Sequence, residues 1–202
     1  MLRIGVTGLM ASGKSSVARR FEEHGARLVD ADALGWEVLR RSEIQNRLRE
    51  LFGDSILAPD GAVDRGRLGS IVFRDPASME RLNAVVQPAL ARTVRDALAE
   101  RPGDGVVVLD AALLSLWRLE PELAAVVEVI APIEARIERL RSSKGFTDVE
   151  ARARIQGQRL PPVRDAARHW RVENAGSRSA LLGHADRIWD EITRLLPRGQ
   201  AG

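Results

Sequence analysis

Cysteine is absent from this 202-residue chain. That excludes disulfides, a thiolate metal site and a cysteine nucleophile, and makes a reducing cytoplasm the expected home. No apolar run approaches the ~18 residues of a membrane-spanning helix, and the N-terminus reads directly into a strand with no secretory leader, so no membrane partner is expected. Lysine is almost absent: Lys14 and Lys144 stand against 29 Arg. Acidic residues nearly balance the basic ones, for a net charge of +3. The charges are interspersed and not gathered into one basic block, so the surface reads as mixed and solvated, and no nucleic-acid partner is expected. In a chain that uses arginine almost everywhere, its two lysines invite a reason.

What is present has the composition of a globular chain, 45% hydrophobic and 29% charged. Short apolar runs read as strands at Leu2–Val6, Arg27–Asp30, Val106–Leu109 and Ala125–Ile130, with a weaker one at Trp170–Glu173. Helical patterns occupy about Lys14–Glu23, Ala33–Leu39, Glu43–Phe52, Asp64–Phe73, Pro76–Glu100 (with a break expected near Pro88), Pro132–Ser142, Thr147–Gln158 and Ser177–Leu196. Loops are expected at 101–105 and a frayed tail at 197–202. Thr147 and Glu150 have the spacing of a capping box. Strands alternating with helices predict an α/β fold around a parallel sheet. Ligands of such sheets sit at the carboxyl ends of the strands.

The strongest signal is Gly8-Leu9-Met10-Ala11-Ser12-Gly13-Lys14-Ser15, a G-x-x-x-x-G-K-[ST] string between an apolar strand and a helix. Its glycines allow close backbone approach, and the loop amides and helix N-terminus cradle phosphate. Lys14 supplies a point charge for the β- and γ-phosphates, and the Ser15 hydroxyl a ligand for Mg²⁺. Asp30-Ala31-Asp32 closes the second strand; Asp32 either faces a substrate hydroxyl or caps the helix that follows. Asp110 ends an apolar strand, either as the acidic residue that holds the Mg²⁺ water shell or as an ordinary buried strand end. Eight Arg (136, 139, 141, 152, 154, 159, 164 and 168) crowd one segment. They are either a lid over ATP or a surface helix with i,i+4 ion pairs, and Arg136 and Arg139 are favoured for the lid. Trp36 and Trp117 either pack or line a cleft. His24, His169 and His184 are isolated, without metal-site spacing.

Over about residues 2–195 the chain resembles the dephospho-CoA kinase family. The resemblance rests on the P-loop at Gly8–Ser16, on Asp30-Ala31-Asp32, and on the long string Asp64-Arg65-Gly66-Arg67-Leu68-Gly69-Ser70-Ile71-Val72-Phe73-Arg74-Asp75-Pro76. It rests also on Val107–Leu114 for V-V-x-D-x-P-L-L, on Arg136-Ile137-Glu138-Arg139 for Q-x-x-R, on Arg154–Gln158 for R-I-x-x-Q, and on Glu173–Ser177 for D-N-x-G-S. The chain departs from the family where Leu9 and Ala11 replace glycines, where Gly35 and Trp36 stand in place of an arginine, and at Gln87 and Ala112. Ser143-Lys144-Gly145 replaces the lid's R-D-G, with Lys144 expected to supply the missing phosphate contact.

The resemblance implies a P-loop kinase three-layer fold: a five-stranded parallel sheet, a helical substrate-binding insertion and a lid. It implies one domain, with a core at about 1–30, 104–140 and 168–196, a substrate region at about 33–100 and a lid at about 141–167. The implied reaction is ATP-dependent phosphorylation of the ribose 3′-hydroxyl of dephospho-CoA, with Mg²⁺. Asp32, Lys14 and Arg139 would be catalytic. Gly8, Ala11, Ser12, Gly13, Lys14, Ser15, Ser16, Asn174 and Gly176 would bind ATP. Asp32, Trp36, Leu113, Leu114 and Gln158 would bind the acceptor, and Ser15, with Asp110, the metal. Two alternatives stand beside it: another small-molecule or nucleotide P-loop kinase, and a nucleotide-binding paralogue without turnover. The sequence sets no oligomeric state.

Overall fold

A computed structural model describes residues 1–100, 105–158 and 160–194. The expected loop at 101–104, Arg159 and the end of the chain from 195, including the expected tail, lie outside the described residues. The strands are β1 (Leu2–Thr7), β2 (Arg27–Asp30), β3 (Val106–Asp110), β4 (Ala125–Ile130) and β5 (His169–Glu173). They form one parallel sheet in the order β2-β3-β1-β4-β5. The helices are α1 (Lys14–Glu23), α2 (Ala31–Arg40), α3 (Ser42–Phe52), α4 (Arg65–Val72), α5 (Pro76–Ala99), α6 (Ile133–Lys144), α7 (Asp148–Gly157) and α8 (Arg178–Thr193).

The chain divides into two compact units, one comprising residues 1–30 and 100–202, the other residues 31–99. In the first, Ile4 and Val6 of β1 meet Val17, Ala18 and Phe21 of α1 and Leu181, Ala185 and Ile188 of α8 in one buried cluster. The central strands β1, β3 and β4 are buried along most of their length and therefore read as continuous apolar runs, whereas edge strand β5 is mostly exposed. Against the opposite face of β1 lie Leu114 and Leu123, so close that a side chain at Gly5 would collide with both. A bidentate pair ties α1 to α8: Arg20 donates to Asp186 over 2.6 and 3.1 Å, and His24 lies 2.8 Å from the same carboxylate while stacking on Trp189. Arg20, and then His24, hold the Asp186 carboxyl down at about 2.

The second unit is helical. Asp64 caps α4 by accepting from the Arg67 amide over 2.9 Å. Two expectations are corrected here. α2 begins at Ala31 and not Ala33, so the position before the helix belongs to Asp30 and Asp32 lies inside the first turn. α5 is not broken at Pro88 but runs 24 residues through it. A helix-interior proline costs about 3 kcal/mol. The buried stripe of Val85, Val86, Leu90, Ala91, Val94 and Leu98 supplies the burial that offsets it.

Candidate active site

β1 ends at Thr7 and α1 begins at Lys14, and the loop between them is shaped by two glycines. Gly8 has φ 153°, and a side chain there would run into the Val129 carbonyl and the Ser12 hydroxyl. Gly13 has φ 104° and precedes α1; a side chain there would strike Asn174. The amides of Gly13, Lys14 and Ser15 open the helix, where no intrahelical acceptor exists. The first turn of α1 carries no acidic residue. The Ser12 hydroxyl is buried without a partner among the described residues. A positively polarised backbone cradle with an unpaired buried hydroxyl fits a phosphate group.

Lys14 donates to Asp110 over 2.8 Å and lies 3.4 Å from the Ser15 hydroxyl. Asp110 is 5% exposed, and it pairs in register with Asp30 across β2 and β3. Ser15, Lys14 and Asp110 are thus brought together at the carboxyl end of the central strands. Among the described residues no group of three His, Asp or Glu side chains could hold a metal by itself.

The middle of the loop is not glycine but Met10-Ala11-Ser12, and Ala11 sits in the left-handed region at φ 60°. Side chains from outside hold it. The Arg136 Nε donates to the Met10 carbonyl over 2.8 Å, and Gln158 Oε1 accepts from the Met10 amide over 2.6 Å. The Arg139 guanidinium donates to the Ala11, Ser12 and Asn174 carbonyls over 3.1, 3.3 and 3.0 Å. Asn174, itself buried, donates its side-chain amide to the Ser12 carbonyl over 2.7 Å. Met10 and Ala11 also pack on the small core formed by Ile137 and Leu140 of α6 with Ala151 and Ile155 of α7. The capping box expected at Thr147 and Glu150 opens α7.

The other expected site residues lie as follows. Arg139 and Gln158, expected at the transferring phosphoryl and at the acceptor, are engaged with P-loop backbone. Asn174 is likewise committed to the loop, while Gly176 lies exposed beyond it. Leu114 is wholly buried and lies against Gly5, while Leu113 is half-buried. Trp117 is buried and packs. Lys144 is exposed in the last turn of α6 and shows no contact with the loop that Arg136 and Arg139 reach from the same helix. Ser16 is half-buried in the first turn of α1. Arg136 and Arg139, favoured by the sequence for a lid over ATP, both bond to P-loop carbonyls, and nothing in the local pattern signalled that contact.

In the second unit Asp32 is exposed in the first turn of α2. Trp36 is 39% exposed, and the Arg65 guanidinium lies 3.0 Å over its ring. The pair borders a groove of about 690 Å³ lined by apolar side chains including Leu39, Val63, Leu68, Phe73 and Met79. Phe73 is 64% exposed.

A parallel sheet with a G-x-x-x-x-G-K-S loop feeding the helix after its central strand defines the class of P-loop nucleotide-binding proteins. A family model for dephospho-CoA kinase matches residues 2–179. A dephospho-CoA kinase of Thermobifida fusca (strain YX) is 37% identical over 199 residues, covering 97% of this chain and 98% of that one. The chain belongs to the dephospho-CoA kinase family. It spans about half the length (48%) of the mycobacterial relatives it matches. The solved structure of TT1252 from Thermus thermophilus is similar with a TM-score of 0.74 and 30% identity, over 97% of this chain and 98% of that one. The dephospho-CoA kinase from Campylobacter jejuni shares the fold, with a TM-score of 0.59 at 18% identity over 94% and 96% of the two chains.

Proposed function

We propose that this kinase transfers the γ-phosphoryl group of ATP to the ribose 3′-hydroxyl of dephospho-CoA, giving coenzyme A and ADP. The observation that carries the reading is the P-loop of a dephospho-CoA kinase family member: an unobstructed phosphate cradle with Lys14 and Ser15 at its helical end. The loop amides and Lys14 bind the β- and γ-phosphates and stabilise charge as it spreads in the transition state. Ser15, with Asp110 through water, is the donor set for Mg²⁺, which would neutralise phosphate charge when bound. Asp32 orients the 3′-hydroxyl and accepts its proton. The hydroxyl oxygen forms the new P–O bond as the bond from the γ-phosphorus to the bridging oxygen breaks, and that electron pair leaves with ADP.

The groove beside Trp36 takes the pantetheine arm. An apolar channel with an aromatic wall suits a long, weakly polar chain whose exact conformation does not matter to the chemistry. In this reading the enzyme works in the cytoplasm. That fits a chain without cysteine, and among the described residues no helix is long and apolar enough to cross a membrane. The test is a coupled ADP-release assay with dephospho-CoA against a panel of nucleosides and nucleotides. Release specific to dephospho-CoA is expected. Faster release with another acceptor, or nucleotide binding without any release, would overturn the assignment.

A further inference from the structure

Arg136 is 4% exposed, and burial lowers its pKa with no carboxylate contributing. A buried guanidinium remains charged and is costly unless something compensates it. Its contacts among the described residues are the Met10 carbonyl at 2.8 Å and, through Nη2, the Gln158 Oε1 at 3.5 Å. That same Gln158 oxygen accepts from the Met10 amide at 2.6 Å. Arg136 and Gln158 therefore hold both polar groups of one P-loop residue, and each touches the other. Gln158 is the residue immediately after α7, so the latch joins α6, the end of α7 and the tip of the loop. The next residue is Ala11, left-handed at φ 60°. A non-glycine residue in that region is strained and persists only where its surroundings over-determine it.

We infer that Arg136 is a positioning residue for phosphoryl transfer: acting through Met10 and together with Gln158, it holds the P-loop in the shape that receives nucleotide phosphates. The inference rests on the reading of this loop as the ATP site, and not on the identity of the acceptor. The latch acts by hydrogen bond and not by charge at a distance. Gln158 provides the acceptor that lets the guanidinium remain at the loop, and the end of α7 thereby becomes part of the nucleotide site without touching nucleotide.

Side-chain lengths supply the test. The amide nitrogen of a glutamine at 136 would fall where Arg136 Nε now donates to Met10, whereas a methionine would place a methyl group there. ADP affinity is measured by calorimetry, alongside melting temperature and the KM and kcat for ATP. Arg136→Met is expected to weaken ADP about 10-fold, the scale of losing one charge-assisted hydrogen bond. It is expected to raise KM for ATP similarly. Its melting temperature should hold or rise, because replacing a buried charge by an apolar side chain of similar volume is often neutral or stabilising. Arg136→Gln, which keeps the bond to Met10, should stay within about 3-fold of wild type. Gln158→Leu should match Arg136→Met, and the double variant should be no weaker than either alone, since both break one latch. Equal losses for Arg136→Gln and Arg136→Met would mean that charge alone acts, and would overturn the inference. So would multiplicative losses in the double variant, or wild-type ADP affinity in Arg136→Met. Failure to phosphorylate dephospho-CoA despite normal ADP binding would instead count against the proposed function.

Discussion

The P-loop and the Trp36 groove are built on opposite principles. Around the loop, recognition depends on fixed polar geometry: Met10, Ala11 and Ser12 are held by directional bonds from Arg136, Arg139, Gln158 and Asn174. In the helical unit the groove walls are mostly apolar side chains, with Arg40, Gln45 and Arg65 among them, and Arg65 makes a cation–π contact with Trp36. A transferring phosphoryl group must be met at defined positions, because electrostatic stabilisation is effective only when it is preorganised. A flexible pantetheine arm, as proposed for the groove, needs mainly removal from water, which tolerates variation. Substitutions should therefore be costly and specific to chemistry at the first region, and graded and specific to binding at the second.

The sharpest test is Lys14→Ala, expected to lower kcat at least ~100-fold through loss of a preorganised charge. It also leaves Asp110 buried without its cation, a loss on the order of 3 kcal/mol. Lys14→Ala combined with Asp110→Asn should restore the melting temperature but not turnover, separating chemistry from stability. Next is Asp32→Asn, expected to lower kcat about 100-fold or more while ATP affinity and fold persist. A stability loss with kcat retained would show the carboxylate to be structural. At the groove, Trp36→Ala should raise KM for dephospho-CoA about 10-fold and leave KM for ATP unchanged; an effect on ATP instead would erase the contrast between the two regions. Ala11→Gly should stabilise the protein by up to about 1 kcal/mol in denaturant titration, since glycine adopts φ 60° freely. The smallest effect concerns acid. Asp186 is held below the ordinary carboxylate value, so its contribution to stability is present above about 3.8 and is lost as pH falls toward 2. Acid unfolding of Asp186→Asn should accordingly lack that component, and the difference from wild type should be small because the pair is partly exposed.

Much of this was written in local sequence. The G-x-x-x-x-G-K-S string names its own conformation, because only glycine fits at Gly8 and Gly13 and the following helix must present free amides. Apolar runs ending in Asp30 and Asp110 marked strands and their carboxyl ends, and Thr147 with Glu150 marked the start of α7. These signals are local because backbone sterics, capping and strand burial each involve residues a few positions apart.

Long-range partners were not legible. Leu113 and Leu114 look alike in sequence, yet Leu114 is sealed under Gly5 while Leu113 is only half-buried, a matter of which residue meets the one gap in β1. Pro88 reads as a helix break, and only burial along α5 carries the helix through it. Arg139, Gln158 and Asn174 carried the right chemistry for a phosphate site, but their side chains turn to loop carbonyls and amides contributed from more than a hundred residues away. The sequence determined that a P-loop follows the first strand of this chain, since that needs only eight consecutive residues. The tertiary structure decided what holds the loop in place, because hydrogen-bond partners distant in the chain are set by packing of the sheet, α6 and α7, and no local pattern encodes them.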